Sequence, residues 1–202
     1  MNWADFGPYV MPHVIGVPLP MLEHHARMAA IEFCERTKCW ARRLDPIMTT
    51  GTVDIDLLPD VSSAMILDVE DVAVDGVKWP VVSAGIGIAK SRETTNEKFC
   101  FTEDLAALLV YPLQSAGAAV VVSVSMAPKP DAADMHADIA HYAYRMSHGV
   151  IASLMRVPGQ SFTSPLADVH ESMFRENIKI ESARLARGSV ATGGGRIQPS
   201  FI

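Results

Sequence analysis

LEHHARMAAIEFCERTKCWARRL, residues 22–44, is the stretch that decides the fold. Its apolar side chains recur at the spacing of one helical face, namely Leu22, Ala26, Ala29, Phe33, Trp40 and Leu44. Pro46 cannot continue a helix and also restrains the residue before it. The pattern therefore predicts one long amphipathic helix that ends near Leu44. Upstream, prolines are frequent in residues 1–20, and we expect an irregular arm there.

Downstream of Pro46 the apolar period changes from helical to two, which is typical of strands. Alternating segments at residues 53–57 and 65–74 lead to Asp75-Gly76, a strong two-residue hairpin signal. Further strands are expected at Val77–Val82, Phe99–Thr102, Leu108–Tyr111 and Val120–Met126, although Leu105–Val110 suits a short helix equally well. Because no helical period separates these strands, we expect sequential antiparallel pairing.

After Pro128 and Pro130 the helical spacing returns. Apolar positions from Met135 to Val157 predict a second helix, which Pro158-Gly159 ends. Ser164-Pro165 is a favourable start for a third helix, and Gly188 is its natural end. The wide face that we expect the third helix to bury consists of Leu166, Val169, Met173, Phe174, Ile178, Ile180 and Leu185.

These patterns together predict an α+β protein. It is a three-helix bundle with an antiparallel β module inserted between helix 1 and helix 2, followed by an extended C-terminal arm. Four segments result: an N-terminal arm and helix 1 in residues 1–46, the inserted antiparallel β module in 47–128, helices 2 and 3 of the bundle in 129–188, and the arm in 189–202. The length of 202 residues suits one globular unit with an insertion.

Composition excludes several classes of function. The chain has 17 basic and 23 acidic side chains, so its net charge of −6 disfavours a surface that grips nucleic acid. Three cysteines without framework spacing suit free thiols in a reducing compartment. Neither a secretory signal nor an apolar run of about 18 residues is visible, so we expect folding in a cytoplasm and no membrane contact.

Candidate metal and redox residues have unfavourable spacing. His24 and His25 are adjacent and diverge by about 100° on a helix. His136, His141 and His148 are five and seven residues apart, whereas two ligands on one helix are best spaced by four. Cys34 and Cys39, five apart on the same predicted helix, are poorly placed for a disulfide and are interpreted as small buried hydrophobes. We therefore expect no metal and no cofactor.

Acidic and glycine-rich segments give no catalytic motif. The aspartates and glutamate at positions 54, 56, 60, 68, 70, 71 and 75 could attract a divalent cation, but they lack calcium-loop spacing and alternate like a solvated sheet face. Gly85-Ile86-Gly87 lacks the third glycine of a nucleotide-binding turn, and the GxSxG and P-loop motifs are absent. The expectation is a protein that is not an enzyme.

The C-terminal tail is unusual because it ends in large apolar side chains that only a partner could bury. We expect a partner-binding arm that uses Arg196, Ile197, Pro199, Phe201 and Ile202. The alternative is a frayed end whose apolar residues are accidental.

Two stretches carry a resemblance to a known family. They are AAIEFCERTKCWARRLDPI, residues 29–47, and GVIASLMRVPGQSFTSPLADVHESMFRENIKIESARLARG, residues 149–188, with the acidic β segment and its Asp-Gly turn between them. This combination resembles the head-to-tail connector adaptor proteins of tailed bacteriophages. The most telling pieces are Phe-Cys-Glu-Arg-Thr in the first helix, Leu-Met-Arg-Val-Pro-Gly at the end of the second, and the third helix after Ser-Pro.

The resemblance implies a structural protein of the virion neck, assembled in the host cytoplasm. Such a protein is a homo-oligomeric ring of twelve copies that docks on the portal protein, extends the DNA channel and provides the attachment site for a tail tube, nozzle or stopper protein. Residues 189–202 would be the portal-docking arm. Genomic DNA would pass through the lumen without sequence-specific binding, which an acidic or neutral lining favours.

Three alternatives stay open. The first is a stopper or tail-completion protein of the same neck. The second is an adaptor with cell-wall hydrolase activity, for which Glu93, Glu97, Glu103 and Asp104 are the dense carboxylates from which an acid pair could be drawn. The third is a monomeric binding module of the host cell.

Overall fold

The structure is a computed structural model and describes residues 1–51, 54–57, 59, 61–82, 98–102, 105, 107–112, 114–159 and 162–192. The chain divides into two units. The helical unit consists of residues 1–39 and 133–202, and the β unit consists of residues 40–132. Every described helix lies in the helical unit, and every described strand lies in the β unit.

The helical unit begins with a 3-10 helix, Trp3–Phe6. Its α-helices are α1 (Gly7–Val10), α2 (Leu19–Thr37), α3 (Ala137–Ala140), α4 (Ala143–Met155) and α5 (Ala167–Thr192). The buried faces of α2 and α4 are those that the periodicity predicts, including Leu22, Ala26 and Phe33 on α2 and Met146, Val150 and Leu154 on α4. Among the described residues, no helix has the length and apolar character that crossing a membrane requires.

The first helix is shorter than predicted. It ends at Thr37 because Lys38 adopts a left-handed conformation, with φ 54° and ψ 32°, and donates its backbone N–H to the carbonyl of Cys34. Residues Ala41–Arg43 then form a strand instead of two further helical turns. Trp40 and Leu44 are buried, as expected, but they belong to the β unit.

The prediction of an irregular N-terminal arm is wrong. Asn2 and Asp5 form a reciprocal capping box at the 3-10 helix, and Pro8 lies in the first turn of α1, where its missing N–H costs nothing. The side chains of Trp3, Phe6 and Val10 are fully or almost fully buried. This segment is therefore part of the helical core.

The second and third predicted helices also differ from expectation. The second is split, because α3 ends at Ala140 and α4 begins at Ala143. The third does not stop at Gly188 but continues to Thr192, since an interior glycine costs only about 1 kcal/mol. Residues 189–192 are therefore helical and not extended. The predicted arm residues Arg196, Ile197, Pro199, Phe201 and Ile202 lie outside the described residues.

The β unit has two sheets. The strands are β1 (Ala41–Arg43), β2 (Ile47–Met48), β3 (Asp54–Asp56), β4 (Ala64–Val74), β5 (Val77–Trp79), β6 (Val81–Val82), β7 (Phe99–Thr102), β8 (Ala107–Tyr111) and β9 (Ala119–Pro128). One sheet has the order β1-β9-β4-β5, with β2 also on β9, and the other has the order β3-β8-β7-β6.

Some of the β prediction is confirmed. Asp75 and Gly76, with φ 49° and 78°, form the turn between β4 and β5. Sequential pairing is wrong, however. The long strands β4 and β9 pair with each other across the intervening chain, and β6 runs parallel to β7. Pro80 separates β5 from β6, which belong to different sheets.

The predicted architecture as a whole therefore needs correction. The fold is α+β, but a three-helix bundle with one small inserted β module does not describe it. Within the described ranges there are five α-helices and nine strands in two sheets. The physical reason is that long-range strand pairing and the packing of the N-terminal segment leave no signature in local periodicity.

Candidate interaction surface

Four large apolar side chains form an exposed stripe along α5 and the turn before it. They are Leu166, Val169, Met173 and Ile180, and each is between 46% and 56% exposed. The spacing of three, four and seven residues places them on one side of the helix. We call this set the α5 stripe. The apolar periodicity predicts that these residues are buried, and that prediction is wrong.

The face of α5 that is buried contains polar as well as apolar side chains. His170, Phe174, Ile178 and Glu181 are all less than a tenth exposed. These positions and those of the α5 stripe both recur at helical spacing. Periodicity alone therefore could not show which of the two faces is buried. Because His170 and Glu181 are polar, the sequence pattern does not identify their side of α5 as the one that faces the core.

Glu181 is the centre of a polar network between α4 and α5. Its side chain is completely buried and accepts hydrogen bonds from the Tyr142 hydroxyl at 2.9 Å and from Arg184 Nε at 2.8 Å. Arg145 pairs with the second carboxylate oxygen. A buried carboxylate is stable only with such partners. The network therefore fixes the rotation of α5 and, with it, the side on which the stripe is exposed.

Electrostatics at Glu181 favour the ionised form. Burial alone would raise the pKa of its carboxyl, but the hydrogen bonds from Tyr142 and Arg184 and the charges of Arg184 and Arg145 outweigh burial, so the pKa is lowered. The pKa of Tyr142 is raised, first by burial and then by its hydrogen bond to Glu181. The site thus holds a fixed negative charge at neutral pH. We interpret the network as structural, because it ties α5 to the residues at the start of α4.

Three histidines from separate segments meet beside the start of α5. Nδ1 of His148 lies 3.1 Å from Nδ1 of His170, and the His13 ring centroid lies 4.9 Å from that of His170. Burial lowers the pKa of His148 and His170, and the neighbouring histidines lower it further. His148 is a candidate from its sequence spacing, but its partners His13 and His170 are not, because no spacing rule relates positions 13, 148 and 170.

The other candidate histidines lie elsewhere in the helical unit. His25 shares a hydrogen bond of 2.9 Å with the hydroxyl of Ser153, and the ring of His24 lies edge-on beside it. His136 accepts a hydrogen bond from the backbone N–H of Asp138 at the start of α3, and His141 stacks on Tyr142. No group of three histidine, cysteine or carboxylate side chains in the described ranges is arranged to hold a metal ion.

A groove of about 350 Å³ lies between α2, α4 and α5. Its apolar lining includes Met28, Ala152 and Phe174, and its rim carries Glu32, Glu35, Arg156, Glu171 and Arg175. Arg156 and Arg175 both pair with Glu171. The lining also contains His25 and Ser153, whose side chains share the hydrogen bond of 2.9 Å described above. An apolar lining beside paired charges suits contact with a protein segment.

The acidic residues of the β unit make local contacts. Asp71 pairs with Lys78 across the β4–β5 hairpin at 2.9 Å, and Asp75 accepts a hydrogen bond from the Ala119 backbone N–H at 2.8 Å. Asp54 and Asp56 flank the buried Ile55 and are exposed. Asp60, Gly85, Ile86, Gly87, Glu93, Glu97, Glu103 and Asp104 lie outside the described residues.

The comparisons with known proteins give no assignment. No protein-family model matches this chain, and no curated protein matches its sequence. The functional conclusion therefore depends on the residues and their geometry.

Proposed function

We propose that this protein is a structural head-to-tail adaptor of a tailed-bacteriophage neck. In this role, copies of the chain form a ring that docks on the portal protein, extends the DNA channel and provides the attachment site for the tail. The observation that carries the proposal is the α5 stripe. It lies within the longer of the two stretches that resemble the adaptor family.

The stripe supports the proposal because a ring subunit needs an apolar side surface for its neighbour. Isolated apolar residues are normal on a protein surface, but a row of large side chains at helical spacing is typical of an interface. Tyr9 and Tyr144 add a second exposed group in the same unit, with their rings edge to face at 6.0 Å. Tyrosines are enriched at protein interfaces.

Electrostatics are compatible with a conduit for DNA. The chain has 17 basic and 23 acidic side chains, and an acidic excess disfavours tight binding of phosphate and is compatible with DNA that slides through a lumen. A protein that held DNA tightly would need a basic surface.

The test is a mass measurement of the purified protein, alone and after mixing with purified portal rings. We expect a complex that contains twelve copies of the chain. Replacing Met173 and Ile180 by arginine should abolish that assembly, whereas Ser172→Arg, a control at an exposed position of α5 outside the stripe, should not. A wild-type protein that stays monomeric with portal present would refute the proposal.

The C-terminal arm is tested by a truncation after Thr192, which leaves α5 complete. If residues 193–202 dock on the portal, the truncated protein should keep its helical circular dichroism but lose portal binding. Undiminished binding would refute a docking role for this segment. Binding of the full chain to tail tubes but not to portal would favour the stopper alternative.

A further inference from the structure

Cys34 and Cys39 bring their sulfur atoms to 4.0 Å from each other. The apolar periodicity predicts both residues on one helix, where a spacing of five directs the side chains apart. The structure ends that helix at Thr37, and the left-handed Lys38 turns the chain back over the last helical turn. A contact between the residue that follows such a cap and the last turn of the helix is a regular consequence of this motif. The helix cap thus brings together two thiols that the predicted helical spacing would keep apart.

The two thiols differ in their surroundings. Cys34 is completely buried, whereas Cys39 is partly exposed. Thr37 holds the backbone of Cys39, because its hydroxyl oxygen accepts the Cys39 N–H at 3.2 Å while donating to the Phe33 carbonyl at 2.6 Å. In such an arrangement the accessible thiol attacks the oxidant first and forms a mixed disulfide, and the buried thiol then resolves that mixed disulfide.

Protonation of the pair is consistent with these roles. The hydrogen bond from Cys34 lowers the pKa of the Cys39 thiol, against the opposing effect of burial. The same hydrogen bond, followed by burial, raises the pKa of Cys34. Cys100, in the β unit, is buried, and burial raises its pKa to about 12. It therefore provides an internal control for thiol reactivity.

We propose that Cys34 and Cys39 are a reversible disulfide pair, a redox modification site whose oxidant is a small-molecule disulfide such as oxidised glutathione. The Cys39 thiolate attacks one glutathione sulfur, which forms a mixed disulfide and releases one glutathione thiolate. The Cys34 thiol gives its proton to that thiolate and attacks the Cys39 sulfur, which releases the second glutathione. Two protein thiols are oxidised, and one glutathione disulfide is reduced to two glutathione molecules.

Closure requires a local movement. The sulfur atoms must approach from 4.0 Å to the roughly 2.05 Å of a disulfide bond. The cap residues, outside the last turn of α2, can supply this movement without unfolding the helix. If the protein is a neck adaptor, as proposed above, it is assembled in a reducing cytoplasm and acquires the bond only after the particle is released.

The experiment uses the full-length protein and oxidised glutathione at pH 8, followed by alkylation in denaturant and trypsin digestion without reductant. Trypsin cleaves after Arg27, Arg36, Lys38 and Arg42, so the two cysteines fall in different peptides. We expect MAAIEFCER, residues 28–36, linked to CWAR, residues 39–42. The linkage should disappear on reduction, and Cys100 should be alkylated throughout.

Two variants separate the roles of the thiols. Cys34→Ser should retain a glutathione adduct on Cys39, because the resolving thiol is missing, and Cys39→Ser should give neither adduct nor linkage. In the reduced wild-type protein, iodoacetamide should modify Cys39 about tenfold faster than Cys100. The inference would be overturned if both thiols of the wild-type protein could still be alkylated after oxidation. It would also be overturned if the only disulfide formed joined two separate chains. Neither result depends on whether the protein assembles on a portal.

Discussion

Replacing Glu181 by glutamine tests whether the buried network holds α5 in place. The glutamine side chain keeps the shape but loses the charge, and its amide group turns donors toward arginine. The hydrogen bond from the buried Tyr142 to a carboxylate contributes roughly 1.5–3 kcal/mol. The side chains of Arg145 and Arg184 are 35% and 61% exposed, so each ion pair adds only about 0–1 kcal/mol after solvent screening. The expected loss is therefore about 2–4 kcal/mol.

The assay is urea unfolding followed by circular dichroism at a helical wavelength. This signal reports the helical unit, because all the described helices belong to it. With a slope of about 2 kcal/mol per molar urea, the loss corresponds to a midpoint lower by about 1–2 M. The matched control is Glu176→Gln, an exposed position of the same helix, which should stay within about 0.5 kcal/mol of wild type.

The pH dependence gives an independent check. Because the pKa of Glu181 is lowered in the folded protein, its contribution is complete above the ordinary glutamate value of 4.5 and is lost as the pH falls through the lowered value. The difference between wild type and Glu181→Gln should therefore shrink on acidification. A variant as stable as wild type at pH 7, or a difference that stays constant down to pH 3, would refute the reasoning.

Two further predictions concern the same unit. The lowered pKa of His148 and His170 keeps both side chains neutral in the folded protein at neutral pH, whereas the unfolded chain takes up protons on them below the ordinary value of 6.5. Stability should therefore fall as the pH drops from 7.5 to 5, and His170→Gln should flatten this profile in thermal melts. A flat wild-type profile over that range would contradict this prediction. At Gly149 an added Cβ would lie 3.0 Å from the ring of Phe174, and such overpacking costs about 1–3 kcal/mol. The helix propensity of alanine returns about 1 kcal/mol, so Gly149→Ala should lower the free energy of unfolding by up to about 2 kcal/mol in urea unfolding. Gly7→Ala meets only the flexible end of a methionine at 3.5 Å and should not destabilise the protein, and equal effects of the two variants would contradict the packing argument.

Local features of the fold were predictable from the sequence. The Asp75-Gly76 turn followed from a dipeptide that tolerates positive φ, and the buried face of α2 followed from its period. The end of α2 did not, because Trp40 and Leu44 happen to continue the helical spacing. Their segment instead pairs with Ser123–Ser125 of β9, and such distant pairing has no local signal.

The candidate surface was only partly predictable. All four residues of the α5 stripe stood out as apolar, but the sequence could not show that they face outward. That outcome depends on Glu181 and His170, two polar residues that occupy core positions because Tyr142, just before α4, and His148, on α4, satisfy them. The dithiol was missed for a related reason, since the single left-handed residue Lys38 changes the direction of the chain between the two cysteines.

The helical unit is made of two stretches that are far apart in the chain, residues 1–39 and 133–202, and this separation affects its folding during synthesis. α2 leaves the ribosome early, but α4 and α5, which cover its apolar face, follow only after the whole β unit, residues 40–132. At roughly 5–20 residues per second, the nascent chain spends on the order of ten seconds with that face uncovered. Slow translation through the β unit would lengthen this interval, so the rate of protein production can determine how much of the chain aggregates before it is complete.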